Sequence, residues 1–146
     1  MSTNKPTGID TYNATIERIE SVADGLWIFF IRPDTPIPGR RPGHYVSIGL
    51  VGPDGQKLVR RPYSLSQSLG LRADPDLLEL LVIRVPEGDL TPLLFNQGEG
   101  SRLFVRPKMI GTYLLPELRH DMTIILASTG TGVAPHMTML ETCMKT

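Results

Sequence analysis

The stretch Leu77–Pro107, "LLELLVIRVPEGDLTPLLFNQGEGSRLFVRP", decides how the rest of the chain is read. It opens on an apolar run of strand length, the most apolar before the tail, and ends on a second strand-like run, "SRLFVRP". Between them Pro86 and Gly88 break the chain, and Thr91-Pro92 opens a short turn of helix. Thr91 is a candidate N-cap there, and Pro92, which lacks an N–H, suits the first helical position. Strand, brief helix and strand in quick succession point to an all-β architecture rather than alternating β and α units.

The same grammar extends upstream. "NATIERIESV" alternates apolar and polar residues, and "GLWIFFIR" follows the turn signal Asp24-Gly25. "RPDTPIPGRRPG" is a loop, because its prolines remove backbone donors and fix φ. "HYVSIGL" reads as a strand, "VGPDGQK" as a turn, and "LVRRPYSLS" as another strand. Several short strands with Gly/Pro turns and one short helix predict a sandwich or closed barrel.

Downstream the character changes. "MTIILAST" is a continuous apolar run of the kind found in buried parallel strands. The loop "GTG" follows, and then "VAPHMTMLETCM" with helical spacing at Val133, Met137, Leu140 and Met144. This predicts the first β-α unit of a doubly wound α/β domain. One such unit cannot build its own core, so the reading expects a fragment, or completion by another chain. The expected divisions are a tail at 1–12, a β-barrel at 13–118, and the incomplete start of a second domain at 119–146.

Gross features narrow the function classes. The 146 residues carry 15 basic and 15 acidic side chains, a balance that gives no global field toward nucleic acid or an anionic membrane. The single cysteine, Cys143, excludes an intramolecular disulfide framework and fits a reducing compartment. "MSTNKPTGID" has no apolar core of a secretory signal, and no run approaches the ~20 apolar residues that cross a bilayer. A cytoplasmic protein is expected. His44, His120 and His136 are scattered without metal-ligand spacing, so no metal site is expected.

Chemistry is densest in "RRPYSLSQ", Arg60–Gln67. In a strand, Arg61, Tyr63 and Leu65 share one face, and Arg60, Pro62, Ser64 and Ser66 the other. A flat heterocycle with a phosphate tail requires an aromatic plane, a polar group at the ring edge and a fork-like cation. Arg61, Tyr63 and Ser64 could supply all three, or form an ordinary half-buried strand. The residues by themselves leave both readings open.

Arg61-Pro62-Tyr63-Ser64 resembles the R-x-Y-S flavin motif of the ferredoxin–NADP⁺ reductase superfamily. "VIRVPEGDLTPLL", "KMIGTYLLPE" and "ASTGTGVAP" follow in that superfamily's order, and the resemblance spans about Ile16 to Met139. It is strongest to the bacterial type of ferredoxin–NADP⁺ reductase. It implies a mainly β protein: an antiparallel Greek-key barrel that binds FAD, then the beginning of an NADP-binding domain.

By the same resemblance, Tyr63 stacks on the flavin, Ser64 lies near its N5 atom, and Arg61 pairs with its pyrophosphate. The main chain of Val82–Val85 contacts the ribityl and phosphate region, with Arg84 nearby. Gly88, Leu90 and Thr91 hold the pyrophosphate, and Gly111 and Thr112 approach the flavin. Thr129, Gly130, Thr131, Gly132 and Pro135 form the NADP-binding loop. The implied activity moves electrons between NADPH and ferredoxin or flavodoxin, in a protein monomeric at full length. A reductase component of a multicomponent oxygenase stays open, as does a flavin-binding module without turnover. If the chain ends at Thr146, flavin binding with little NADPH oxidation is expected.

Overall fold

The computed structural model describes residues 8–66 and 74–145. Gln67, at the end of the stretch above, and most of the N-terminal tail lie outside them. Among the described residues, six strands form one antiparallel sheet: β1 (Ala14–Ala23), β2 (Leu26–Pro33), β3 (Tyr45–Val51), β4 (Leu58–Ser64), β5 (Leu78–Ile83) and β6 (Arg102–Val105). Their order across the sheet is β4-β3-β6-β1-β2-β5. The short helix α1 (Thr91–Leu94) lies between β5 and β6, and α2 (Val133–Lys145) follows the barrel.

Alternation in the sequence sets what each strand buries. Phe29 and Ile31 of β2, Val46 and Ile48 of β3, and Leu78, Leu80 and Val82 of β5 all turn inward to one core. Ala14 and Ile16 of β1 and Leu103 and Val105 of β6 join them. Each large side chain removed fully from water contributes about 1.5–3 kcal/mol. Phe95, just after α1, stacks on Trp27 with ring centroids 4.4 Å apart and meets Phe29 edge-on at 5.6 Å. Phe29 thus lies in the core and Trp27 packs against it.

The outermost strands meet beyond the end of β4. There the Ser66 N–H donates to the Glu79 carbonyl at 2.7 Å, an isolated antiparallel bridge that joins the two edges. The Arg40 guanidinium supports this seam by donating to the carbonyls of Ser66 and Leu77 at 3.2 and 3.1 Å. Burial pushes the Arg40 guanidinium below its ordinary pKa, against the opposing pull of Glu79 and of Glu141 on α2. Bridging the edges at this point reduces the unpaired strand donors that would otherwise invite other chains.

The tail differs from expectation. "MTIILAST" forms no strand, and Ile125 within it is 86% exposed. An apolar run becomes a buried parallel strand only with partners on its edges, and none pairs with it among the described residues. α2 forms as expected, and Ala134, Pro135 and Met139 are buried. No helix among the described residues is long and apolar enough to cross a membrane.

Candidate functional site

The groups of β4 and of the loop before α1 converge on one cleft. Arg61, Pro62 and Tyr63 line it from β4; Val85, Glu87, Gly88, Asp89, Leu90 and Thr91 line it from the loop. Its volume is about 350 Å³. β4 has β3 as its hydrogen-bonded neighbour, with Val46 opposite Tyr63 and Ile48 opposite Arg61. Pro62 carries no N–H to donate, which suits it to a strand at the edge of the sheet. Tyr63 is half-buried and packs against the core, so its ring is held rather than waving in solvent. Burial pushes its hydroxyl above the ordinary pKa of 10.0, with Arg61 pulling the other way, and the phenol is neutral at physiological pH.

The loop facing Tyr63 is built around Thr91. Its Oγ1 accepts from the Val85 N–H at 2.9 Å and donates to the Val85 carbonyl at 2.9 Å. This corrects the expected N-cap: Leu90 occupies the cap position and α1 has no side-chain cap. The hydroxyl is spent on closing the Val85–Thr91 loop instead, because both polar groups of Val85 lie within its reach. The Gly88 N–H donates to the Val85 carbonyl at 2.9 Å. A Cβ at Gly88 would sit 3.1 Å from that carbonyl oxygen and 3.4 Å from Thr91 Oγ1, so the loop closes tightly because this residue is glycine.

Arg61 reaches across the cleft mouth to Asp89, where guanidinium and carboxylate form an ion pair. A second recess of about 640 Å³ lies beside the first and shares Arg61, Gly88 and Asp89 with it. Lys57, Arg60, Pro92 and Leu93 contribute to its walls. Between them the two recesses offer an aromatic plane, an apolar floor and three cations. That set suits an elongated ligand with a flat ring and an anionic middle.

The remaining candidates are dispersed around this centre. Val82 is fully buried with its side chain in the core, so only its main chain can serve a ligand. Arg84 is exposed and its N–H donates to the Gly25 carbonyl at 2.7 Å; it does not line the cleft. Ser64 is half-buried at the end of β4, opposite Tyr45, and also lies outside the cleft lining. Tyr45 pairs in turn with Ile110, which sets Gly111 one strand beyond Ser64. Gly111 has φ +143°, and a Cβ there would meet the Gly43 carbonyl at 3.2 Å. Thr112 beside it is exposed.

The 3₁₀ turn Gly130–Gly132, capped by an extended Thr129, leads into α2 and lies beside β5. Gly130 has φ +54°, and the Gly132 N–H donates to the Thr129 carbonyl at 3.0 Å. Thr129 and Gly130 are exposed, whereas Pro135 is buried in the first turn of α2. Glu87 and Asp89 also line the cleft, although neither the motifs nor the local sequence mark them as site residues. Asp89 lies between Gly88 and Leu90, the residues that the resemblance assigns to an anion, where a carboxylate is not expected.

Among the cations outside the cleft, Arg102 is committed to Asp34, holding that carboxylate below its ordinary range. Arg60 lies over the Phe104 ring at 5.9 Å.

No family model matches the chain. It is 36% identical over 134 residues to the ferredoxin–NADP reductase of Pseudomonas aeruginosa, covering 88% of this chain and 48% of that protein. The chain spans about half the length of the curated relatives it matches. Among solved structures, the Amycolatopsis cytochrome P450 reductase superposes with TM-score 0.71 and 28% identity, over 92% of this chain and 39% of that one. The Neisseria gonorrhoeae ferredoxin NADP⁺ reductase with bound FAD and NADP shares the fold, with TM-score 0.67 and 18% identity. That match covers 90% of this chain and 51% of the other.

Proposed function

The chain belongs to the ferredoxin–NADP⁺ reductase superfamily, and from that premise we propose that it binds FAD in the Arg61–Thr91 cleft and passes electrons between NADPH and a one-electron carrier such as ferredoxin or flavodoxin. The observation that carries this reading is the convergence of Tyr63, Arg61 and the Gly88–Thr91 loop on one cleft. FAD supplies the exchange between two-electron and one-electron chemistry, which no side chain here can perform.

The chain's own residues bind and orient. Tyr63 offers a neutral ring face, held in place by the core behind it. Arg61 offers two fork-like donors to a phosphate, leaving Asp89 to do so. The Gly88 loop, tied shut through Thr91 and Val85, gives an anionic group a fixed backbone to approach. Ser64 and the Gly111-Thr112 pair stand at the flavin edge in this reading, outside the cleft that holds the rest of the cofactor. Residues 13–118 form the flavin-binding unit, which is consistent with all six strands falling between residues 14 and 105. Residues 119–146 begin the nucleotide-binding unit, where Thr129–Gly132 and Pro135 meet NADP(H). The single cysteine supports a cytoplasmic setting, a reducing compartment.

A second acceptor is favoured by one finding, the 28% identity to the Amycolatopsis cytochrome P450 reductase: electrons would go to an oxygenase instead. The test of the electron-transfer reading starts from the FAD-loaded chain, photoreduced without oxygen and mixed with oxidised ferredoxin or flavodoxin. Reoxidation of the flavin with matching reduction of the carrier is expected. Failure to reduce either carrier overturns the carrier assignment.

A further inference from the structure

His136 is 7% exposed, and its Nε2 lies 2.9 Å from the Tyr113 hydroxyl. The two rings are tilted at 57° with centroids 5.8 Å apart, so the contact runs through the polar edge rather than by stacking. Tyr113 belongs to the connector that follows β6, and His136 to the first turn of α2, four residues after Gly132. The bond therefore ties the helix that begins at the glycine turn to a segment anchored on the barrel.

That anchoring is tight. Gly43, at φ +96°, lets the connector pass so closely that a Cβ there would fall 1.8 Å from the Tyr113 carbonyl oxygen. The Gly43 N–H points at Thr138 Oγ1, 3.3 Å away, and that hydroxyl donates to the Pro135 carbonyl at 2.6 Å. Barrel loop, connector and helix start thus share one small polar seam. Within it Tyr113 to His136 is the side-chain link between connector and helix.

We propose that His136 is a positioning residue: through Tyr113 it fixes the first turn of α2, and with it the Thr129–Gly132 turn, relative to the barrel. The consequence for nucleotide binding rests on the assignment of that turn to NADP(H), but the positioning itself does not. A helix start held at one place presents its free N–H groups in one geometry, and a loosened one averages over several.

The test is amide hydrogen exchange on the intact chain, comparing wild type with Tyr113→Phe, His136→Phe and His136→Gln. Tyr113 is 58% exposed, so loss of its hydroxyl leaves the core intact. Losing one such bond should speed exchange of the Gly132 amide, bonded to the Thr129 carbonyl, and of the α2 amides from Met137 to Met139 by about five- to tenfold, with β2 and β5 amides unchanged. His136→Gln, which keeps an acceptor near the hydroxyl, should restore part of the protection that His136→Phe loses. Exchange within twofold of wild type in Tyr113→Phe would overturn the proposal. So would acceleration spread equally over the barrel, the mark of general destabilisation. FAD titration of the same variants separates the readings: absence of FAD binding in all, wild type included, speaks against the cofactor assignment and leaves the exchange result standing.

Discussion

Arg61 and Asp89 form an ion pair across the mouth of the cleft, joining β4 to the loop before α1. Both side chains are about half or more exposed, and such a pair contributes about 0–1 kcal/mol. A charge-assisted bond to a phosphate is stronger, about 1.5–3 kcal/mol. On these magnitudes an anionic ligand takes Arg61 from Asp89. Arg61→Ala should weaken FAD binding by about 10- to 100-fold with little change in the urea midpoint. Asp89→Asn, which removes a like charge from the phosphate's neighbourhood, should tighten it by a few fold. Quenching of flavin fluorescence on titration measures both.

Tyr63 contributes a plane as well as apolar bulk. Tyr63→Leu keeps much of the bulk and loses the plane, so FAD affinity should fall about three- to tenfold, the worth of an aromatic pair beyond its area. Fluorescence of the bound flavin should rise in parallel, because a stacked phenol no longer quenches it.

Thr91 and Gly88 act on the shape of the loop. Thr91→Val removes both bonds to Val85, and unfolding in urea should show a loss of about 1–2 kcal/mol. Gly88→Ala sets a Cβ against the Val85 carbonyl, so its loop must open by a few tenths of an ångström. Its FAD affinity should fall more than its stability does, the reverse of the Thr91→Val pattern.

Acid should weaken the fold through specific carboxylates. Asp34 and Asp74 are held below their ordinary pKa of 3.8 by hydrogen bonds from Arg102 and Arg32, and Asp54 by the N–H groups of Gln56 and Lys57. A depressed folded-state pKa gives stability that is present above 3.8 and lost as pH falls through and below it. The urea midpoint should therefore decline as pH drops from about 5 toward 2. Arg102→Ala should flatten part of that slope.

The strands were legible because inward residues such as Phe29, Ile31, Leu78 and Leu80 alternate on a period of two that one core face enforces. Arg61, Tyr63, Gly88 and Thr91 were legible as a group because their motifs occur in a recognisable order, and the fold brings them to one cleft. What Thr91 bonds was not, since local sequence favours a cap and only the folded loop places Val85 within its reach. Arg40 was hidden for a similar reason: its partners, the carbonyls of Ser66 and Leu77, lie in segments far along the chain. The apolar run at 122–129 misled because periodicity reports what a segment could bury, while burial needs partners that pair with it.

The most direct test of the account is the flavin content of the purified chain, read by absorbance and by intact mass under native conditions. One FAD per chain, with occupancy reduced most in Arg61→Ala and less in Tyr63→Leu, is the predicted result. A colourless protein that takes up no FAD on titration, while folded by its urea transition, would contradict it.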